Sequence, residues 1–337
     1  MKSDALKARV AFREALAGWF SNHGKDYPWR RTKAAYAILI SEVMLQQTQI
    51  ATVLGRGFYT RFLETFPDVE SLAAAEDERL LKAWEGLGYY RRVRMLRETA
   101  RSVIAEHGGE FPTELEALME LPGVGRYTAG ALRAFAFDLP SAVVDGNVAR
   151  VLSRVMDFSA PVDDTAGMKR MWEWAEALAD PERPRIYNSA LMELGQTICR
   201  PGVPDCLSCP VAGFCKTREP ENLPVKRQKA TVTQVDEHAL WLRDKKGRLL
   251  LHREGGKRRE GLWKLPTREA VEISNLPLLD EHRYTITRYR VTLRVHDGAG
   301  WDFHVAEDEV WQDAGAVLAL AMPSPFRRVI ERLLDEI

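Results

Sequence analysis

The stretch "ELPGVGRYTAGALRAF", residues 120–135, carries the reading of the fold. A helical run ends at Leu121, Pro122-Gly123-Val124-Gly125 turns the chain, and an alanine-rich helix starts at once. The two glycines leave the backbone amides of the turn bare, and the following helix aims its positive end the same way. Gly123, Val124 and Gly125 thus make a cradle for a DNA phosphate, a contact that positions a duplex without reading it. A plain helix-turn-helix connection uses similar residues, but the Pro-Gly-Val-Gly form is more specific than a lone Gly-x-Gly.

Outward from that turn, apolar residues recur at helical spacing through 35–54, 58–66, 71–84, 91–107, 114–121, 127–137, 146–156, 168–179 and 186–198. Breaks fall at Pro67, at "GLG" (86–88) and at "HGG" (107–109). The polar, proline-bearing run 219–231 reads as a linker. Beyond it the period becomes alternating, and "HALWLRD" (238–244), "RLLLHRE" (248–254), "RYTITRYRVTLRVHD" (283–297) and "WDFHVAE" (301–307) read as strands. A closing helix begins with Ser324 as N-cap and Pro325 at its first position. The fold class is therefore a mainly α body followed by an α+β segment.

Lys and Arg number 48 and Asp and Glu 48, so net charge points to no class of partner. Arg91, Arg92, Arg94, Arg97 and Arg101 crowd one helix, a pattern that most simply reads as a solvated face. The N-terminus reads as an amphipathic helix instead of a secretory signal, and no run of apolar residues is long enough to span a membrane. The expectation is a reducing, cytoplasmic setting. All four cysteines, Cys199, Cys206, Cys209 and Cys215, fall in one loop with the spacing C-x6-C-x2-C-x5-C. Only one C-x2-C knuckle is present, and Pro210 follows Cys209, which favours a 4Fe–4S cluster over a zinc ribbon.

Two carboxyls stand in opposed surroundings. Glu42 lies inside the apolar helix "YAILISEVMLQQTQ" (36–49), where desolvation keeps a carboxyl protonated near neutrality. It is either a buried structural donor or a general acid. Asp145, in "SAVVDGNVARVLSRV" (141–155), precedes a helix; it or Asn147 is most simply an N-cap, and that end of a helix favours an ionised carboxylate. Carboxyls driven apart in this way suit cleavage of a glycosidic bond. In "WEGLGYYRR" (84–92), two tyrosines on a glycine-loosened turn can wedge into stacked bases or pack on a neighbouring helix.

Taken together, "LPGVGRYTAGA", "VDGN" and the four-cysteine loop resemble the helix-hairpin-helix base-excision superfamily that contains endonuclease III. "SEVMLQQTQ", "WEGLGYY" and the "GLWKLP" of the C-terminal segment narrow the resemblance to adenine DNA glycosylases of the MutY family, from about Tyr27 to Cys215. The resemblance implies removal of adenine mispaired with 8-oxoguanine or guanine from double-stranded DNA, by a monomer of the bacterial cytoplasm and nucleoid. Glu42 falls on the general acid, Asp145 on the carboxylate that stabilises the sugar cation, and Asn147 on the residue that steadies it. Tyr127 stands where strand-cleaving relatives carry a lysine, which implies a monofunctional enzyme. Gln47, Leu87 and Tyr89 match positions around the lesion stack, and Arg30 and Glu193 match the adenine pocket. The four cysteines match the cluster ligands.

The implied domains are an iron–sulfur domain (1–28 and 137–222), a six-helix barrel (29–136), a linker (223–232) and a Nudix-like lesion-recognition domain (233–337). That last domain lacks the Arg-Glu and Glu-Glu pattern of Nudix hydrolases. The family's Phe-Ser-His reading loop falls nearest Ile286-Thr287-Arg288, which keeps a hydroxyl and replaces the histidine. Rival readings are an endonuclease III-like lyase, a thymine–guanine mismatch glycosylase, and a catalytically silent iron–sulfur DNA-binding or redox module.

Overall fold

A computed structural model describes residues 4–228, 231–256, 259–300 and 304–335. In chain order the helices are α1 (Arg9–His23), α2 (Ala35–Leu45), α3 (Ile50–Gly55), α4 (Phe58–Thr65), α5 (Val69–Ala73), α6 (Asp77–Ala83), α7 (Arg91–His107), α8 (Leu115–Glu120), α9 (Arg126–Phe135), α10 (Gly146–Met156), α11 (Thr165–Leu178) and α12 (Pro184–Thr197). The strands β1 (Thr233–Trp241), β2 (Leu249–Arg253), β3 (Trp263–Lys264), β4 (Thr267–Arg268), β5 (Leu278–Ile286), β6 (Tyr289–Asp297) and β7 (Glu309–Gln312) follow, with short helices α13 (Ala270–Ile273) and α14 (Ala314–Val317) and the closing α15 (Ser324–Asp335). Among the described residues no helix is long and apolar enough to cross a membrane.

The chain forms two compact units, residues 1–47 with 102–228, and residues 48–101 with 229–337. In the first, α1 contributes Phe12 and Leu16 to a core shared with Val148, Val151 and Leu152 of α10 and Ala190, Leu191 and Leu194 of α12. Helix α2 is apolar nearly all round and is buried from Ile38 to Met44, as such a helix must be. It stops at Leu45, so the expected run 35–54 is two helices. Gln46 turns extended and Gln47 takes a φ of 61°, because the polar residues 46–49 have no apolar face to bury.

The second unit joins α3–α6 and the start of α7 to the C-terminal segment. Expected helix 71–84 is likewise divided into α5 and α6, the first opened by a capping box between Asp68 and Ser71. One sheet runs β4-β1-β6-β5 and the other β3-β2-β7, with β1 and β6 parallel from Thr233↔Tyr289 to Trp241↔Asp297. Phe326, Val329, Ile330 and Leu333 of α15 cover Leu249, Leu251, Leu293 and Val295. The expected strand 283–297 is a hairpin: Ile286 pairs with Tyr289 and the chain reverses at Thr287-Arg288. The expected strand 301–307 is not one where it is described (304–307), and the pairing strand is β7; residues 301–303 lie outside the described residues.

The arginine-rich face of α7 is not simply solvated. Arg92 Nη2 donates to the carbonyls of Leu87 and Gly88, Arg97 Nη1 to Ala75 O, and Arg101 Nε to Ala73 O. Arg94 reaches Glu260 O. These guanidiniums satisfy carbonyls that short helices and turns leave open.

Candidate active site and cysteine loop

The hairpin between α8 and α9 has the shape its glycines require. Gly123 has φ 79°, a conformation costly for any residue with a Cβ. Gly125 caps α9 without a side chain, and a Cβ there would meet nothing within 4 Å. Val124 is buried and its N–H bonds back to Leu121 O, which fixes the turn. A glycine turn that leads straight into a helix N-terminus suits an anion.

Helix α9 then carries Tyr127 to α2. The Tyr127 hydroxyl donates to Glu42 Oε2 at 2.6 Å. Glu42 is buried, and burial raises its pKa to about 7. The Tyr127 bond and the Arg30 charge oppose that rise, and the Asp145 charge adds to it. Burial and the neighbouring Glu42 hold the Tyr127 phenol well above its ordinary value, so it remains a neutral donor. Near neutrality Glu42 is therefore poised to give up a proton.

Asp145 caps α10, and its Oδ1 accepts from Asn147 N at 2.9 Å and Val148 N at 2.7 Å. Its Oδ2 accepts from Asn147 Nδ2 at 2.8 Å. The capping role read from the sequence is thus real, and the same bonds aim the carboxylate. Asn147 is itself held by Arg150, whose Nη2 donates to Asn147 Oδ1 (2.8 Å) and Gly195 O (2.6 Å). Arg150 Nε continues to Cys199 O at 2.8 Å. A Cβ on Gly195 would sit 2.7 Å from that of Asn147, so glycine is needed for α12 to approach α10 here.

Arg30 and Glu193 also meet. Arg30 Nη1 lies 2.8 Å from Glu193 Oε2, while its guanidinium stacks on Phe20 and Tyr27 and its N–H is directed at Lys25 O. Neither oxygen of the fully buried Glu193 has a hydrogen-bond donor directed at it among the described residues. The pair is electrostatic, and Oε1 is left with neither a donor nor that cation's close contact.

The cysteine loop sits at the other end of α10. Cys199 and Cys209 pack on the core of this unit, and Cys206 is exposed. Burial pushes the Cys209 thiol up to about 11, with Cys199, Cys215 and Cys206 all near enough to add to the rise. Arg154 Nη1 lies 3.3 Å from Cys199 Sγ and 2.8 Å from Arg200 O, and Cys215 Sγ lies 3.3 Å from Arg154 O. Among the described residues no group of three or more His, Cys, Asp and Glu is drawn together tightly enough to hold a single ion. The donor set, four thiols around one loop with an N–H aimed at sulfur, fits a cluster.

The buried arginines Arg150 and Arg154 escaped the sequence reading. Their only signal was a basic residue at each inward turn of an apolar helix, which elsewhere marks a solvated stripe.

The remaining candidates share an unusual backbone. Gln47 (φ 61°), Tyr89 (φ 48°) and Thr287 (φ 51°) are all exposed and left-handed, a conformation that carries strain in residues with a Cβ. Leu87 differs: it is buried, at 6% exposed. Tyr89 is 47% exposed beneath the Arg92 guanidinium. At the hairpin tip, Thr287 Oγ1 donates to Ile286 O, and Arg288 stacks on Tyr289.

Residues 40–177 match the HhH-GPD superfamily of base excision DNA repair proteins. The human adenine DNA glycosylase is 46% identical over 219 residues, covering 62% of this chain and 40% of the human protein. The chain thus spans under half the length of that relative. A thermostable thymine-DNA glycosylase structure is 31% identical with a TM-score of 0.57, covering 63% of this chain and 97% of that one. An endonuclease III–DNA covalent intermediate is 26% identical with a TM-score of 0.52, covering 64% of this chain and 97% of that one. With the glycine hairpin and the Glu42–Tyr127–Asp145 constellation in place, the chain belongs to the helix-hairpin-helix superfamily of base-excision DNA repair proteins, and within it is similar to the adenine DNA glycosylases.

Proposed function

We propose that the protein is a monofunctional DNA glycosylase that removes adenine opposite 8-oxoguanine or guanine. One observation carries the reading: a buried carboxyl with a pKa of about 7, bonded to a neutral tyrosine, lies within the field of a carboxylate fixed by three N–H donors. Adenine turned out of the duplex would take a proton from Glu42 on a ring nitrogen, so the N-glycosidic bond breaks with its electron pair leaving on a neutral base. Asp145 opposes the positive charge that develops on the sugar, and water completes the abasic product. Tyr127 has no amine, so no Schiff base forms and the strand stays intact. Glu193, whose Oε1 has no donor directed at it among the described residues, suits the exocyclic amino group of adenine, with Arg30 Nη1 beside its other oxygen.

Cys199, Cys206, Cys209 and Cys215 would hold a 4Fe–4S cluster, which when bound cross-links its loop without taking part in bond cleavage. The C-terminal segment would act as a Nudix-like reader of the base opposite adenine, through Thr287 and Arg288, with Gln47 and Tyr89 bearing on the stack. The protein would act as a monomer on genomic DNA in the cytoplasm.

The test is incubation with duplexes holding A:8-oxoguanine, A:G, T:G and an oxidised pyrimidine, scoring abasic sites and borohydride-trapped adducts. Adenine release without trapping is expected. Release of thymine or the pyrimidine in place of adenine, or a trapped adduct, would overturn the assignment.

A further inference from the structure

Within the second compact unit, the C-terminal segment is fastened to the helical part around one side chain. Glu85 Oε1 accepts from Met322 N at 3.1 Å and from Arg327 Nε at 2.9 Å, with Arg327 Nη2 at 2.8 Å. Its Oε2 accepts from Lys82 Nζ at 2.6 Å. Lys82 Nζ and Arg327 Nη1 both donate to Leu318 O, at 2.9 and 3.0 Å. Five positions on, the buried Tyr90 hydroxyl donates to Met322 O at 3.0 Å. The Glu85 side chain is 16% exposed and that of Arg327 11%, so the pair has lost most of its water.

These two anchors bracket Gly86-Leu87-Gly88-Tyr89. Both glycines have positive φ (94° and 67°), and Tyr89 follows with φ 48° and a ring open to solvent. A strained turn keeps such a shape only where its surroundings hold it from both sides. Here the holding residues belong to the same segment that carries the Thr287 hairpin.

We propose that Glu85 is a positioning residue: through Arg327 and Met322 it locks the Tyr89 turn to the C-terminal segment, so that Tyr89 and the Thr287 hairpin present themselves to DNA as one rigid piece. This rests on the reading of those two elements as DNA-directed. Loss of the lock leaves adenine chemistry in place, because Glu42, Tyr127 and Asp145 belong to the other unit. It uncouples lesion reading from the wedge in the stack, and the preference for the lesion falls.

The experiment uses the full chain with E85A, R327A and the double variant. Single-turnover excision is measured on A:8-oxoguanine and A:G duplexes at fixed salt, with hydrogen exchange at the amides of 86–90 read alongside. Each single variant should lower the ratio of the two rates about fivefold and leave the A:G rate within about twofold. The double variant should lose clearly less than the sum of the two singles, since both remove the shared Glu85–Arg327 contact. E85Q, which keeps an oxygen for Met322 N, should recover part of the ratio, and exchange in the turn should quicken in every variant that loses it. An unchanged ratio, additive losses, or unchanged exchange overturns the proposal. If an alanine variant does not fold, E85Q and R327K carry the same two measurements with the same criteria. If the wild type releases no adenine, the glycosylase reading fails, and the exchange rates still decide whether Glu85 holds the turn.

Discussion

The hydroxyl of Tyr127 donates to Glu42 Oε2 across 2.6 Å, joining α9 to α2 and the hairpin to the acid. This bond works against burial, which lifts the Glu42 pKa to about 7. Excision that needs a protonated Glu42 should therefore fall as pH rises through about 7. In Tyr127→Phe the lowering contribution is gone, so the alkaline limb should move to higher pH, by about one pH unit at most. A limb that stays put or moves to lower pH in the pH–rate profile counts against the assignment.

Glu42→Gln should bind mismatched duplex and lose excision by about three orders of magnitude or more. It should also change stability in a pH-dependent way. Glu42 ionises at 4.5 when unfolded and at about 7 when folded, so the folded state holds the extra proton and loses stability between those values. The wild type should thus give up about 3 kcal/mol relative to the variant over that window, and nothing further above it. Chemical denaturation at pH 4.5, 6 and 8 tests the sign.

Asp145→Asn separates capping from catalysis. Asparagine keeps the capping oxygen but turns an NH2 toward Asn147 Nδ2, so the protein should still fold and lose about 1 kcal/mol of stability. Excision should still fall by several orders of magnitude, because the charge facing the sugar is gone. Parallel loss of fold and activity would reduce Asp145 to a cap.

The cysteine loop predicts brown protein with about four irons per chain and broad visible absorbance. Serine at any of Cys199, Cys206, Cys209 or Cys215 should cost iron and DNA binding, since the loop loses its cross-link. Stoichiometric zinc without iron, in protein prepared anaerobically, would refute the cluster.

Thr287→Gly relieves a left-handed threonine and should stabilise the C-terminal segment by about 1 kcal/mol. It also removes the threonine hydroxyl from the hairpin tip. The ratio of excision rates on A:8-oxoguanine and A:G should therefore narrow a few-fold, each hydrogen bond being worth about 0.5–1.5 kcal/mol. A stabler protein with an unchanged ratio would leave the hairpin without a reading role.

The sequence by itself determined what local chemistry determines. Pro122-Gly123-Val124-Gly125 dictates its turn because only glycine takes φ 79° without strain. Asp145 announces a helix start because its oxygens reach the next amides, and the cysteine spacing gathers thiols within one loop whatever surrounds it. Periodicity located nearly every helix but ran through Gln46 and Ala74, where polar or small residues end a turn without glycine or proline to mark it. Tertiary structure decided the rest. The proton affinity of Glu42 depends on burial and on Tyr127, Asp145 and Arg30, which only folding brings to it. The arginines of α7, written as a solvated stripe, bond carbonyls brought to them by other helices and by the C-terminal segment. Leu87 and Tyr89 share one short turn, yet one is buried and the other open, because the positive-φ glycines beside them set directions that no period encodes. The Glu85–Arg327 pair joins residues 242 positions apart, and contact at that separation is a property of packing, since neither side chain carries any local sign of the other.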